Sequence, residues 1–202
     1  MSPTGANCRK LAAVITVGAT AALGAACGGG DEDTVDPGSA NPDSALTLEE
    51  AQAPAKKAPA ELVAIRDEAN EILDEGVEGY DARIDELDGT PVVVNNWASW
   101  CGPCREEIPY FQEQAIENGA EVAFLGLLSG DGPETGATFL SEFPLPYPSY
   151  LDPDFDASID IGTGKRLPST AFYDASGEMV YLKSGPYNSA DELAADIEEY
   201  AQ

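Results

Sequence analysis

Histidine is absent from this 202-residue chain. Its absence removes the usual general base of serine and cysteine hydrolases and takes imidazole out of any metal site. Catalysis must then run on thiols, carboxylates or backbone groups. Basic residues are scarce too: 10 Lys and Arg stand against 37 Asp and Glu, a formal net charge of −27. Such a surface repels phosphate backbones and anionic headgroups, which excludes nucleic acid as a partner and membrane binding through a basic patch. The acidity itself reads as a solvated surface, or else as an acidic docking patch. Cysteine occurs only at Cys8, Cys27, Cys101 and Cys104. Apolar residues are in ordinary supply, at 43%, which suits one packed domain plus an extra segment.

Long uncharged runs are limited to the start. Arg9 and Lys10 precede an apolar stretch from Leu11 to Ala26, Ala- and Gly-rich and short for a membrane span. Small residues Ala25 and Ala26 lead into Cys27 and then Gly28–Gly30. Residues 1–27 therefore read as an export signal. The segment resembles the lipobox of bacterial lipoproteins, although Gly24 stands three before the cysteine and Leu23 one step further back. The resemblance implies a lipid on Cys27 that tethers the chain to a membrane. Ordinary signal cleavage and an uncleaved anchor are the alternatives, and all three place the remainder outside the cytoplasm. Cysteine arithmetic agrees: Cys8 leaves with the signal, Cys27 takes lipid, and Cys101 pairs with Cys104.

Residues 28–59 are rich in Gly, Pro, Ala, Asp and Ser, so they bury too little to offset their ordering entropy. They are expected to form a flexible linker with a reach of about 30 Å. Residues 60–79 are assigned to an N-terminal helix, because Leu62, Ile65, Ala69, Ile72 and Leu73 recur on one face. Residues 80–202 make the main domain.

Within it, strand and helix patterns alternate. Val92–Trp97 and Glu121–Leu128 read as apolar strands, Pro103–Asn118 and Glu134–Phe143 as helices. Thr170–Asp174 and Met179–Lys183 flank Ala175–Gly177 as a hairpin. Ser189–Ala201 closes the chain as a helix with Ser189 as N-cap. The fold class is α/β: a central mixed sheet flanked by helices.

Cys101-Gly102-Pro103-Cys104 falls between a strand and a helix. There the first cysteine meets unpaired N–H groups and the helix dipole, which stabilise a thiolate, the attacking species. Cys104 follows one turn on, placed to resolve a mixed disulfide. Pro103 fits the first turn because its missing N–H would be unpaired anyway.

Val92–Pro109, VVVNNWASWCGPCREEIP, resembles the active-site segment of the thioredoxin superfamily, in its extracytoplasmic TlpA- and ResA-like branch. The likeness covers about Tyr80 to Gln202. It implies a thioredoxin-like fold, no cofactor and no metal. It also implies thiol–disulfide exchange with protein substrates by a monomer that draws electrons from a membrane partner. Reduction of disulfides in exported proteins, apocytochrome c among them, is the family expectation; a disulfide-donating oxidant of the same fold is the alternative.

The resemblance carries over residue by residue. Leu167–Tyr173, LPSTAFY, matches the segment in which the family faces a cis-proline towards the cysteines. By that match Pro168 is cis and Leu167 offers its backbone to substrate, with Trp100, Gly102 and Pro103 around them. Pro109 matches a family proline that bends the active-site helix. Asn95 stands where thioredoxins carry an ionisable Asp, so that proton route is closed. Glu107 matches the branch's Glu three residues after the second cysteine, and would take the proton from Cys104. Glu106 and Glu107 as a solvated acidic pair is the other reading. Trp97, in the strand, is expected in the core.

Four rivals fare worse. A structural zinc site needs four ligands where two thiols are present. Copper-handling relatives separate the cysteines by three residues and add a histidine, and the peroxidase's lone nucleophilic cysteine lies in a different surrounding motif. A non-enzymatic lipoprotein with a static disulfide is weakened by the tight closure at a helix start, a geometry that favours exchange.

Overall fold

The structure is a computed structural model that describes residues 46–54 and 57–202. The expected signal, Cys8, Cys27 and the linker up to residue 45 lie outside the described residues.

A single helical turn, α1 (Leu48–Ala51), comes first, held by reciprocal hydrogen bonds between Thr47 and Glu50. Ala51 is buried, and its carbonyl accepts from Arg66 at 3.3 Å. The end of the expected linker is therefore docked on the domain and not free. Its anchor is physical: a buried guanidinium needs acceptors, and Arg66 finds them in Ala51 O and Ala115 O.

Helix α2 (Ala60–Asp67) buries Leu62 and Ile65 but stops well short of residue 79. Asn70 breaks the run by taking a left-handed conformation, φ 69°. Its N–H donates to Tyr147 O, and its side-chain oxygen accepts from Leu145 N at 2.9 Å. Ile72–Leu73 then form strand β1, and Gly76–Glu86 a separate helix α3. The expected 60–79 helix is thus two helices and a strand, and the domain's sheet begins before residue 80.

Next come β2 (Val92–Trp97), α4 (Gly102–Asn118, with Pro109 inside it), β3 (Ala123–Ser129) and α5 (Pro133–Glu142). After them follow β4 (Ser149–Asp152), α6 (Asp156–Asp160), β5 (Ser169–Tyr173), β6 (Met179–Ser184) and α7 (Ala190–Tyr200). Ser189 caps α7 by accepting from Glu192 N at 3.2 Å. Between Ser129 and Gly164 the helix expected at Glu134–Phe143 forms as α5, and β4 and α6 follow it where no element was expected.

The six strands run in the order β1-β4-β3-β2-β5-β6. The pairs β1–β4, β4–β3 and β3–β2 are parallel; β2–β5 and β5–β6 are antiparallel. Every residue of β2 and β3 is buried. That follows from their runs of apolar residues without alternation, the mark of strands covered on both faces. Trp97 is fully buried as expected, packed on Phe139 with its indole N–H on Ser149 Oγ at 3.1 Å. Helix α4 packs against α7, and Phe111 meets Tyr187, in the loop before α7, edge-on.

This topology fixes where chemistry can occur. The parallel strands β2, β3 and β4 end at one edge of the sheet, and β5, antiparallel to β2, begins there. Pairing of Asn96 with Ser169 sets Pro168 beside the loop that leads from Trp97 to Cys101.

Candidate active site

Cys101 is the N-cap of α4, and its sulfur accepts from Cys104 N at 3.3 Å. Cys101 and Cys104 are joined by a disulfide. Cys101 keeps 5% exposure and Cys104 none, so an incoming thiol or disulfide can meet only the first sulfur. Gly102 is half-buried with nothing within 4 Å of where a Cβ would stand, and Pro103 is exposed. Approach to the disulfide is open from that side.

The preceding loop is clamped. Ser99 N donates to Asp131 Oδ2 at 2.7 Å, and Trp100 Nε1 donates to Gly130 O at 3.0 Å. Trp100 is 61% exposed beside Cys101, with its ring orientation fixed by that one bond. Burial alone would raise the Asp131 carboxyl. Donors from Ser99, Thr135 and Gly132 outweigh it and hold the group below its ordinary value. Asp131 was not anticipated, since nothing near it in sequence marks it out.

Across from the cysteines the Leu167–Pro168 peptide is cis, the isomer the resemblance implied. Pro168 O accepts from Gly185 N at 3.0 Å, and Ser169 Oγ donates to Arg166 O at 3.3 Å. Asn96, at the end of β2, holds this loop from beneath. Its side-chain NH2 donates to Ser169 Oγ at 3.2 Å, Ser158 Oγ at 3.0 Å and Thr163 Oγ1 at 3.3 Å. Ser158 and Ser129 in turn donate to buried Asp152. Sequence reasoning missed this network. Its one signal was the polar Asn95-Asn96 pair inside an otherwise apolar strand.

Glu106 and Glu107 are not a solvated pair: Glu106 is exposed and Glu107 fully buried. Glu107 Oε2 accepts from the Tyr187 backbone N–H at 2.9 Å, while Oε1 has no partner among the described residues. Burial pushes the carboxyl up to about 8, against the opposing pull of the Tyr187 N–H and the Lys183 charge. Near neutrality it therefore holds its proton and can release it within reach of physiological pH, the range in which a general acid–base works. On α4 it stands three residues past Cys104, on the same side. Asn95 is buried, with its amide donating to the Tyr147 hydroxyl at 3.3 Å.

A carbon frame of this kind can do one sort of chemistry. It brings together a sulfur with little exposure, a sealed second sulfur and a buried carboxyl at the start of one helix. Among the described residues no group of three or more Cys, Asp or Glu is placed to hold a metal ion.

Comparison with known proteins agrees with this geometry. A family model described as Redoxin matches residues 50–197. The thiol-disulfide oxidoreductase ResA of Oceanobacillus iheyensis is 30% identical over 117 residues, covering 56% of this chain and 59% of that protein. The chain thus spans less than two thirds of that relative's length. ResA of Bacillus thuringiensis is 30% identical over 126 residues, 59% of this chain and 69% of the relative. Among solved structures, MTB dsbF in its mixed oxidized and reduced forms superposes with a TM-score of 0.53 at 28% identity. The superposition covers 57% of this chain and 84% of that one.

Proposed function

The chain belongs to the Redoxin family, and from that premise we propose that it is a thiol–disulfide oxidoreductase working on protein substrates outside the cytoplasm. The observation that carries the reading is the disulfide at the start of α4, with Cys101 keeping 5% exposure and Cys104 none.

In the reducing direction the Cys101 thiolate attacks one sulfur of a substrate disulfide. A Cys101–substrate bond forms, the substrate S–S bond breaks, and one substrate thiolate leaves. Glu107, once it has released its own proton as pH rises towards about 8, takes the proton of Cys104, and Cys104 attacks the Cys101 sulfur. The second substrate thiolate leaves and takes up a proton. The substrate is reduced by two electrons, and the Cys101–Cys104 disulfide is formed.

Trp100, Gly102, Pro103, Leu167 and Pro168 form the surface against which the substrate lies. A membrane electron donor restores the dithiol, and lipid on Cys27 keeps the domain near that donor. Support for the tether is the uncharged Leu11–Ala26 run before Cys27. Exported proteins with disulfides, apocytochrome c among them, are the substrate class, and the protein acts as a monomer.

The test is the midpoint potential of the purified chain in redox buffers. A value near about −270 mV is expected for a dedicated reductant, whereas one near about −120 mV makes it a disulfide donor. Absence of a reversible two-electron transition would overturn the oxidoreductase reading.

A further inference from the structure

Seven basic residues fall among the described ones, and most are already engaged. Arg66 serves two carbonyls, Arg83 pairs with Glu68, Arg105 with Glu142, and Lys183 with Glu192. Lys57 lies before α2. Lys165 and Arg166 differ: both are exposed, neither forms an ion pair among the described residues, and they immediately precede Leu167 and Pro168. In a chain of formal net charge −27, two adjacent unpaired cations stand at the lip of the active site.

Their seat is built. The Lys165 ammonium lies 5.1 Å over the centre of the Phe155 ring. Phe155 itself adopts a left-handed backbone conformation, φ 66°, which is costly for a bulky residue. The ring rests on Gly130, where a Cβ would collide with it, so only glycine leaves room. Gly130 O in turn accepts from Trp100 Nε1. A continuous rim therefore runs from Trp100 beside Cys101, through Gly130 and Phe155, to Lys165, Arg166 and the cis-proline.

We propose that this rim, formed by Trp100, Phe155, Lys165 and Arg166, docks substrate segments that carry Asp or Glu next to their reactive cysteine. The inference rests on the oxidoreductase reading and adds the substrate's chemical class. Charge complementarity selects the occupant. A chain laid along Leu167–Pro168 to bring its sulfur to Cys101 must pass its flanking side chains over Lys165 and Arg166. At about 0.1 M salt the screening length is about 10 Å, so remote surface carboxylates are damped while the adjacent pair is not. A broad anionic surface such as a membrane would meet the whole acidic face and be repelled. Asp131, Asp154 and Asp156 also border the rim, so the attraction falls to side chains that pass directly over Lys165 and Arg166.

The test uses the reduced chain and two synthetic disulfide peptides, identical except for Asp-Asp or Asn-Asn after the second cysteine. Exchange oxidises Cys101 and Cys104 to their disulfide and reduces the peptide to its dithiol, followed by stopped-flow tryptophan fluorescence. Two exposed charge pairs should make the acidic peptide react about three- to ten-fold faster at low salt. That ratio should approach one when salt is raised to about 0.5 M. It should also approach one in the Lys165→Gln/Arg166→Gln variant, and fall below one in Lys165→Glu/Arg166→Glu. A ratio of one or less in the parent chain, or one unchanged by the double substitution, overturns the proposal. Failure of the reduced chain to react with either peptide overturns the oxidoreductase reading, and the proposal with it.

Discussion

The Glu107 carboxylate, on the active-site helix, accepts the backbone N–H of Tyr187, a residue 80 positions further along the chain. The bond ties α4 to the loop before α7 and holds a carboxyl in full burial next to the sulfurs. One oxygen is satisfied and the other is not. A buried carboxylate with only one oxygen hydrogen-bonded favours its neutral form, which is why its proton is retained far above the usual range.

The first prediction concerns stability against pH. The ordinary value of the Glu107 carboxyl is 4.5 and burial raises it to about 8, so the folded chain holds a proton that the unfolded chain releases between those values. Stability is therefore full below the lower value and falls as pH rises through the upper one. Glu107→Gln keeps an acceptor for Tyr187 N and cannot ionise. Denaturant unfolding of the oxidised variant should lack that slope and exceed the parent by about 2 kcal/mol or more at alkaline pH. Identical slopes in the two proteins would show that Glu107 is not the titrating group. The exchange rate of the reduced variant should also lose its inflection near the same pH.

The sealed position of Cys104 makes a second prediction sharp. Cys104→Ser leaves Cys101 able to attack but nothing able to displace the product, so mixed disulfides with substrate should accumulate and appear on non-reducing gels. Cys101→Ser should be inert towards substrate, because the remaining sulfur is fully buried. Trapping by Cys101→Ser instead would reverse the assigned order of attack.

Asn96 supplies the third. Its amide satisfies three hydroxyls that belong to α6, the turn after it, and the start of β5. Asn96→Ala removes one donor from each hydroxyl while Ser158 keeps Asp152, Thr163 keeps Ser158 O and Ser169 keeps Arg166 O, a loss of about 1 kcal/mol, read as a lower denaturant midpoint with unchanged slope. The cis-proline loop sits on Ser169, so the variant should also lose substrate affinity more than turnover: KM rises while kcat holds. Equal loss in both would reduce Asn96 to a merely structural part.

How far the sequence exposed these parts depends on how local each signal was. Strand β2 and the start of α4 were legible, because three consecutive valines followed shortly by Cys-Gly-Pro-Cys need only neighbours to be read. The hairpin of β5 and β6 and the capped α7 were legible for the same reason. Strand β1 has two residues, so its pairing with β4 at Ile72 and Ser149 leaves no periodic trace. Helix α3 begins at Gly76 and also contains Gly79, residues that argue against a helix when read alone. The burial of Glu107 could not be read beside Glu106, since its partner is Tyr187. Asn96 was hidden likewise, since two of its acceptors, Ser158 and Thr163, lie in a stretch with no marked pattern.

Asp131 supports the last prediction, which concerns acid. Its carboxyl is held below the ordinary value by donors from Ser99, Thr135 and Gly132 acting against burial. A lowered value means that the stabilisation is present above the ordinary carboxylate range and is lost as pH falls through the depressed one. Protonation would weaken the charged acceptor of Ser99 N, and the loop bearing Trp100 would loosen from Gly130. Trp97 is fully buried and Trp100 is exposed, so a loop movement should change chiefly the exposed indole's emission. The parent chain should therefore show a fluorescence transition in acid, below the ordinary carboxylate range. Asp131→Asn, which cannot titrate, should show none and should start from the loosened emission at neutral pH. If the transition survives in Asp131→Asn, another carboxylate governs the loop. In that case the clamp on the segment before Cys101 rests on the Trp100–Gly130 bond alone.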